Sequence, residues 1–144
     1  SSIRFASIED DIHVTRIELD IDRYLRAVEN FNASGFADRI TAIHGDALTH
    51  EFEQKFDLIF IDAAKAQYTK FFEKYKKNLS ENGVIISDNL SFHGMVDDIT
   101  LTHNYSTKKL VRKIQKYVQF LKENQEFETE FFEIGDRIGV SRRK

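Results

Sequence analysis

The chain has 144 residues, a formal net charge of −3, and 41% hydrophobic and 12% aromatic residues. That length predicts one domain, residues 1–144, with material for a real core, and the charge balance excludes a global basic field for nucleic acid while leaving room for a local patch. Cysteine is absent, which excludes disulfides, thiolate metal sites and a cysteine nucleophile, and no membrane-length apolar run or signal peptide is visible, so a reducing cytoplasm is the expected location.

Residues 2–8 carry helical apolar spacing with no capped start, so the chain is expected to begin inside a fold rather than at its edge. Residues 13–19 alternate and are rich in β-formers, which predicts a strand ending near Glu18. Residues 21–33 predict a helix with Ile21, Leu25, Val28 and Phe31 inward, closed by Ser34-Gly35. A strand over 39–44 ends in Gly45-Asp46. The run Phe56-Asp57-Leu58-Ile59-Phe60-Ile61-Asp62 reads as a strand buried on both faces. Residues 66–79 form a helix with Tyr68, Phe71, Phe72 and Tyr75 at helical spacing. With proline absent, turns rely on Gly, Asn, Asp and Ser, and Asn82-Gly83 reads as the turn into a strand over 83–88. A loop over 89–105 leads to a helix over 106–123 with Leu110, Val111, Ile114 and Val118 inward. Residues 126–134 and 137–141 pair as a hairpin around Gly135-Asp136. Strand–helix alternation closed by an antiparallel hairpin predicts a doubly wound, Rossmann-like α/β sheet. The opening strand and glycine-rich turn usual in that fold are missing, and none of the six glycines forms a G-x-G-x-x-G pattern.

In open α/β sheets ligands bind at the carboxyl ends of the strands, and several candidates fall there. Glu18 could accept both ribose hydroxyls of an adenosyl cofactor, or be a surface acid or a cap for the helix from Ile21. Gly45-Asp46-Ala47 could let adenine pack on the backbone, or Asp46 could simply cap a helix. Asp62 and Asp88-Asn89 each end an apolar run, and hard oxygens of this kind suit Mg²⁺ or Ca²⁺ better than zinc, three of them making half of an octahedral Mg²⁺ site; the plain alternatives are a water-facing rim carboxylate for Asp62 and an ordinary turn for Asp88-Asn89. Lys65, beside a bound dication, would have a depressed pKa suited to a general base; without the metal it is a solvated lysine. His93, in the loop after Asn89, reads as a loop residue with no catalytic role. Lys108, Lys109, Arg112, Lys113 and Lys116 decorate one helix and Arg142-Arg143-Lys144 the tail. They form either a solvated face or a phosphate-contacting patch.

The run from Phe56 to Tyr68, then Gly83-Val84-Ile85-Ile86-Ser87-Asp88-Asn89, then Gly94-Met95-Val96, resembles the cation-dependent class I O-methyltransferases, the family of catechol and caffeoyl-CoA O-methyltransferases. The closing Ile134-Gly135-Asp136-Arg137-Ile138-Gly139-Val140-Ser141 is similar to that family's final hairpin. The resemblance implies S-adenosylmethionine as methyl donor and Mg²⁺ held by Asp62, Asp88 and Asn89, with Lys65 near the reacting hydroxyl. It implies cofactor contacts from Ser1, Glu18, Gly45, Asp46, Ala47 and Asp62. The acceptor would present two neighbouring oxygens. The bacterial members most similar to this chain, with a lysine-rich last helix and basic tail, modify 5-hydroxyuridine in tRNA; a small catechol or hydroxycinnamoyl acceptor is the alternative. Ala64 and Arg137 depart from the family's pattern. The family's initial helices, first strand and glycine-rich loop have no counterpart here, so an N-terminally truncated domain is expected. A homodimer is expected too, and an inactive fragment acting as a binding or dimerisation module is the third reading.

Overall fold

In the computed structural model, residues 2–9, 11–61 and 67–144 are described. They divide into two compact units, Ser1–Glu51 and Phe52–Lys144.

The first unit runs α1 (Ser2–Ala6), β1 (Val14–Glu18), α2 (Ile21–Ser34) and β2 (Ile40–His44). β1 and β2 pair in parallel, with Glu18 opposite His44 at their carboxyl ends. α2 starts at Asp20, whose carboxylate accepts the Arg23 N–H at 3.0 Å, and stops at Gly35 with φ of 82°, a left-handed cap that a glycine adopts without penalty. Its inward face is Ala27 and Phe31, which pack with Ala6 and Ile40. Of the expected inward stripe Phe31 is buried and Val28 half-buried, whereas Ile21 and Leu25 are corrected. Ile21 and Leu25 are 49% and 53% exposed, because the seam runs through Tyr24, Ala27, Val28 and Phe31, one step around the helix, and a two-stranded sheet covers only a narrow stripe.

The second unit contains β3 (Phe56–Ile61), α3 (Tyr68–Tyr75), β4 (Leu79–Ser87), α4 (Tyr105–Glu123), β5 (Phe127–Phe132) and β6 (Ile138–Arg143). Its sheet has the order β3-β4-β6-β5: β3 and β4 are parallel, while β6 is antiparallel to both β4 and β5. The mixed α/β architecture with a closing antiparallel hairpin is thus present. β3 is not buried on both faces as its composition predicts. Leu58 is 40% exposed and Ile61 is the one buried residue of β3, which is an edge strand of this sheet with neighbours on one side only. The core lies between sheet and helices, where Tyr68, Phe72, Leu79, Ile85, Leu90, Ile114, Tyr117, Leu121 and Phe127 pack together.

The turn expected at Asn82-Gly83 lies within β4: pairing with β3 passes from Phe56–Leu79 directly to Leu58–Val84, so residues 80–83 loop out of the ladder and bring Gly83 back against Leu79. Gly83 is there for space: a Cβ would lie 2.6 Å from Leu79 Cδ1 and 2.9 Å from the Asp57 carbonyl oxygen. Gly83→Ala should therefore cost about 1–3 kcal/mol, the usual range for overpacking, read as a lower urea midpoint at unchanged slope.

Candidate active site

In the first unit the carboxyl ends of two parallel strands bring Glu18 and Gly45-Asp46 together. The Gly45 N–H donates to the Glu18 carbonyl oxygen at 3.0 Å, extending the ladder one step past the strands. The Glu18 carboxylate is mostly shielded, with 18% of its side chain exposed. It accepts the Asp20 N–H at 3.2 Å through Oε1 and lies 3.5 Å from Arg16 Nη2 through Oε2. Gly45 has an ordinary negative φ, and a Cβ there would meet only Ile43 Cγ2, at 3.9 Å. No internal contact among the described residues demands a glycine, which leaves room for a flat ligand against this backbone. Asp46 does not cap a helix, because none follows. Its Oδ1 accepts the Leu48 N–H at 2.9 Å, and its carbonyl oxygen accepts the Thr49 and His50 N–H groups, closing a turn in which Ala47 is half-buried. His44 Nε2 lies 3.1 Å from the Leu19 carbonyl oxygen, and its ring lies 5.5 Å from that of Tyr24.

In the second unit the Asp88 N–H donates to the Ile61 carbonyl oxygen at 3.0 Å. The chain leaving β4 through Asp88-Asn89 is thereby tied to the last described residue of β3. Asp88 Oδ1 accepts the Asn89 N–H at 2.7 Å, and Asn89 has φ of 58°, a left-handed conformation that asparagine tolerates. The Tyr68 hydroxyl donates to the Asp88 carbonyl oxygen, so the start of α3 grips the end of β4. Beneath this rim the Tyr68 and Tyr117 rings stack at 4.6 Å, and the Tyr117 hydroxyl pairs with Ser87 Oγ at 2.6 Å. Burial pushes the Tyr117 phenol far above its ordinary pKa, so it stays a neutral hydrogen-bonding group. Spacing singles out the α3 aromatics as core, but it does not reveal that Tyr68 and Tyr117 also support the rim through their hydroxyls.

Ser1, Asp62 and Lys65 lie outside the described residues, as does Ala64. Among the described residues no cluster of three or more His, Asp or Glu side chains is assembled for a metal. Asp88 and Asn89 supply one carboxylate and one carboxamide at a single strand end, a hard-oxygen pair whose chemistry fits Mg²⁺ if Asp62 completes it. His93 is exposed, and its backbone N–H donates to Asp136 Oδ1 at 2.8 Å.

Two findings now combine. The fold, with its parallel strands, mixed sheet and final hairpin, is that of class I methyltransferases. The O-methyltransferase family model matches residues 3–144, and the chain belongs to that family. A caffeoyl-CoA O-methyltransferase from Populus kitakamiensis is 26% identical over 95% of this chain and 62% of its own length. The structure of a candidate caffeoyl-CoA O-methyltransferase from Staphylococcus aureus superposes with a TM-score of 0.94 at 38% identity, over 99% of this chain and 70% of that one. An SAH-bound Podospora anserina methyltransferase superposes with a TM-score of 0.81 at 25% identity, over 92% of this chain and 61% of that one. The chain thus spans less than two thirds of the Populus relative. No helix among the described residues is long and apolar enough to cross a membrane.

Proposed function

We propose that this chain transfers a methyl group from S-adenosylmethionine to a hydroxyl flanked by a second oxygen, with Mg²⁺ as the companion ion. The observation that carries the reading is the Asp88–Ile61 hydrogen bond. It ties the end of β4, with its two oxygen donors, to the end of β3, from which the chain runs into Asp62. Asp62, Asp88 and Asn89 would hold the ion, which when bound lowers the pKa of the acceptor hydroxyl. Glu18 would accept from the ribose hydroxyls of the methyl donor, with the Gly45–Ala47 turn against its base. Lys65 would take the proton from the attacking oxygen. That oxygen forms a bond to the methyl carbon as the carbon–sulfur bond breaks, and the sulfur leaves as the neutral thioether of S-adenosylhomocysteine. Holding oxygen and methyl in line supplies much of the rate.

For the acceptor, one observation supports an RNA such as tRNA bearing 5-hydroxyuridine, through its phosphates rather than its base. Lys109, Arg112, Lys113 and Lys116 are all exposed on α4 at the spacing of a single face, whereas Lys108 is half-buried beside it. The similarity to caffeoyl-CoA O-methyltransferases favours a small catechol-like acceptor. Methyl transfer from labelled S-adenosylmethionine to tRNA bearing 5-hydroxyuridine and to catechols, with Mg²⁺ and then with a chelator, tests the whole reading; no Mg²⁺-dependent transfer to either sinks it. Changing the four cations to Glu should weaken tRNA binding at least ~10-fold and flatten its salt dependence, leaving catechol turnover unchanged. Unchanged tRNA binding would favour the small acceptor.

A further inference from the structure

The loop after Asn89 follows a costly path. Asn89, Phe92 and His93 have φ of 58°, 48° and 57°, and Gly94 follows at 83°. Side chains rarely adopt this region, and such a run persists only where its surroundings impose it. The imposing element is the tip of the β5–β6 hairpin. The Leu90 N–H donates to the Arg137 carbonyl oxygen at 3.0 Å, and the Ser91 N–H to the Asp136 carbonyl oxygen at 2.9 Å. The His93 N–H is taken by Asp136 Oδ1 at 2.8 Å. The far end is held by Arg137, whose Nη1 and Nη2 donate to Asp97 Oδ1 and Oδ2 at 3.0 and 2.6 Å, while its Nε donates to Glu133 Oε1 at 2.6 Å.

Arg137 is itself left-handed, with φ of 66°, where glycine would be at ease and a Cβ is penalised. The side chain offsets that penalty. Its fork is the two-point geometry that makes an arginine–carboxylate pair directional, and it holds the Asp97 carboxyl below the usual range. Asp97 and Glu133 are largely exposed, at 61% and 75% of their side chains, so attraction alone is worth little and geometry must carry the effect.

We propose that Arg137 is a positioning residue for the metal-facing end of β4. By clamping Asp97 it holds the 89–97 loop in its left-handed path, and so sets how the Asn89 carboxamide leaves the strand next to Asp88. The metal half of this inference rests on the function proposed above; the mechanical half does not.

The test uses Arg137→Gly, which removes the fork and relieves the backbone. Melting temperature should stay close to that of the unchanged protein. Amide exchange at Leu90, Ser91 and His93 should accelerate ~10-fold or more. Mn²⁺, titrated calorimetrically as the probe ion, should bind roughly 10-fold more weakly, the lower end of what removing an outer partner of a metal site costs. Arg137→Lys keeps the charge without the fork and should fall between. Asp97→Asn should reproduce the loss, and at an exposed position it keeps the result readable if the glycine variant folds poorly. Unchanged exchange in both variants overturns the clamp. Faster exchange with unchanged Mn²⁺ affinity overturns the positioning role alone, whereas an unchanged protein that binds no Mn²⁺ overturns the metal reading together with that role.

Discussion

Asp88→Asn is expected to lower Mg²⁺-dependent methyl transfer by about 100-fold or more while leaving the melting temperature unmoved. The carboxamide keeps the shape of the side chain and an oxygen for the Asn89 N–H, now met at 2.7 Å by Oδ1. It removes the negative charge from a hard-oxygen set that would otherwise hold a dication with two carboxylates. Losing an outer partner of a metal site commonly costs 10- to 100-fold, and a direct ligand should cost at least the upper end. Initial rates at several Mg²⁺ concentrations decide it. A variant as fast as the parent across the series would remove Asp88 from the site.

Phe72→Ala is expected to destabilise the second unit by about 3–5 kcal/mol, the range for truncating a buried aromatic ring. Phe72 is fully buried. Its ring meets Phe120 and Phe127 edge-on at 5.4 and 5.1 Å and Tyr117 at 6.4 Å. One side chain thus links α3, α4 and β5. Since whole domains are stable by only about 5–15 kcal/mol, such a loss should leave a large unfolded fraction in mild urea. Tyr68 sits one helical turn before Phe72, so the rim hydroxyl on the Asp88 carbonyl should loosen as well. Equilibrium unfolding monitored by far-ultraviolet circular dichroism measures the effect, and a loss below ~1 kcal/mol would mean that the cavity collapses around the smaller side chain.

The sequence revealed most where local pattern and tertiary setting agree. The two apolar runs ending in acid are β3 and β4, the inward face of α4 includes Val111 and Ile114, and the hairpin turns at Gly135-Asp136. It misled where the setting overrides the pattern. An apolar run does not disclose that β3 is an edge strand, because strand order arises from pairings distant in sequence. Asn82-Gly83 has the chemistry of a turn and makes one, but the pattern does not disclose that this turn is a bulge within β4 packed against Asp57 and Leu79. The rim of the first unit was legible through Glu18 and Gly45-Asp46, which parallel pairing necessarily aligns. Asp97 and the gripping role of Arg137 were not legible. Forty positions separate the two residues, and a charged residue in a loop carries no periodic signal. The clue lay in the local chemistry: an arginine beside Gly135-Asp136, where the turn favours a residue without a Cβ.

The strand order of the second unit also constrains how it can be made. β4 completes its pairing with β6 through Ile85 opposite Ser141 and Ser87 opposite Gly139, after the whole of α4 and β5 has intervened. Such distant closure must be reached before it is rewarded, so folding of this unit should be slow for its size. A nascent chain that has emerged as far as α4 would present the flank of Val84-Ile85-Ile86 unpaired, an apolar edge open to any other extended chain. The final strand is therefore the step that ends this exposure.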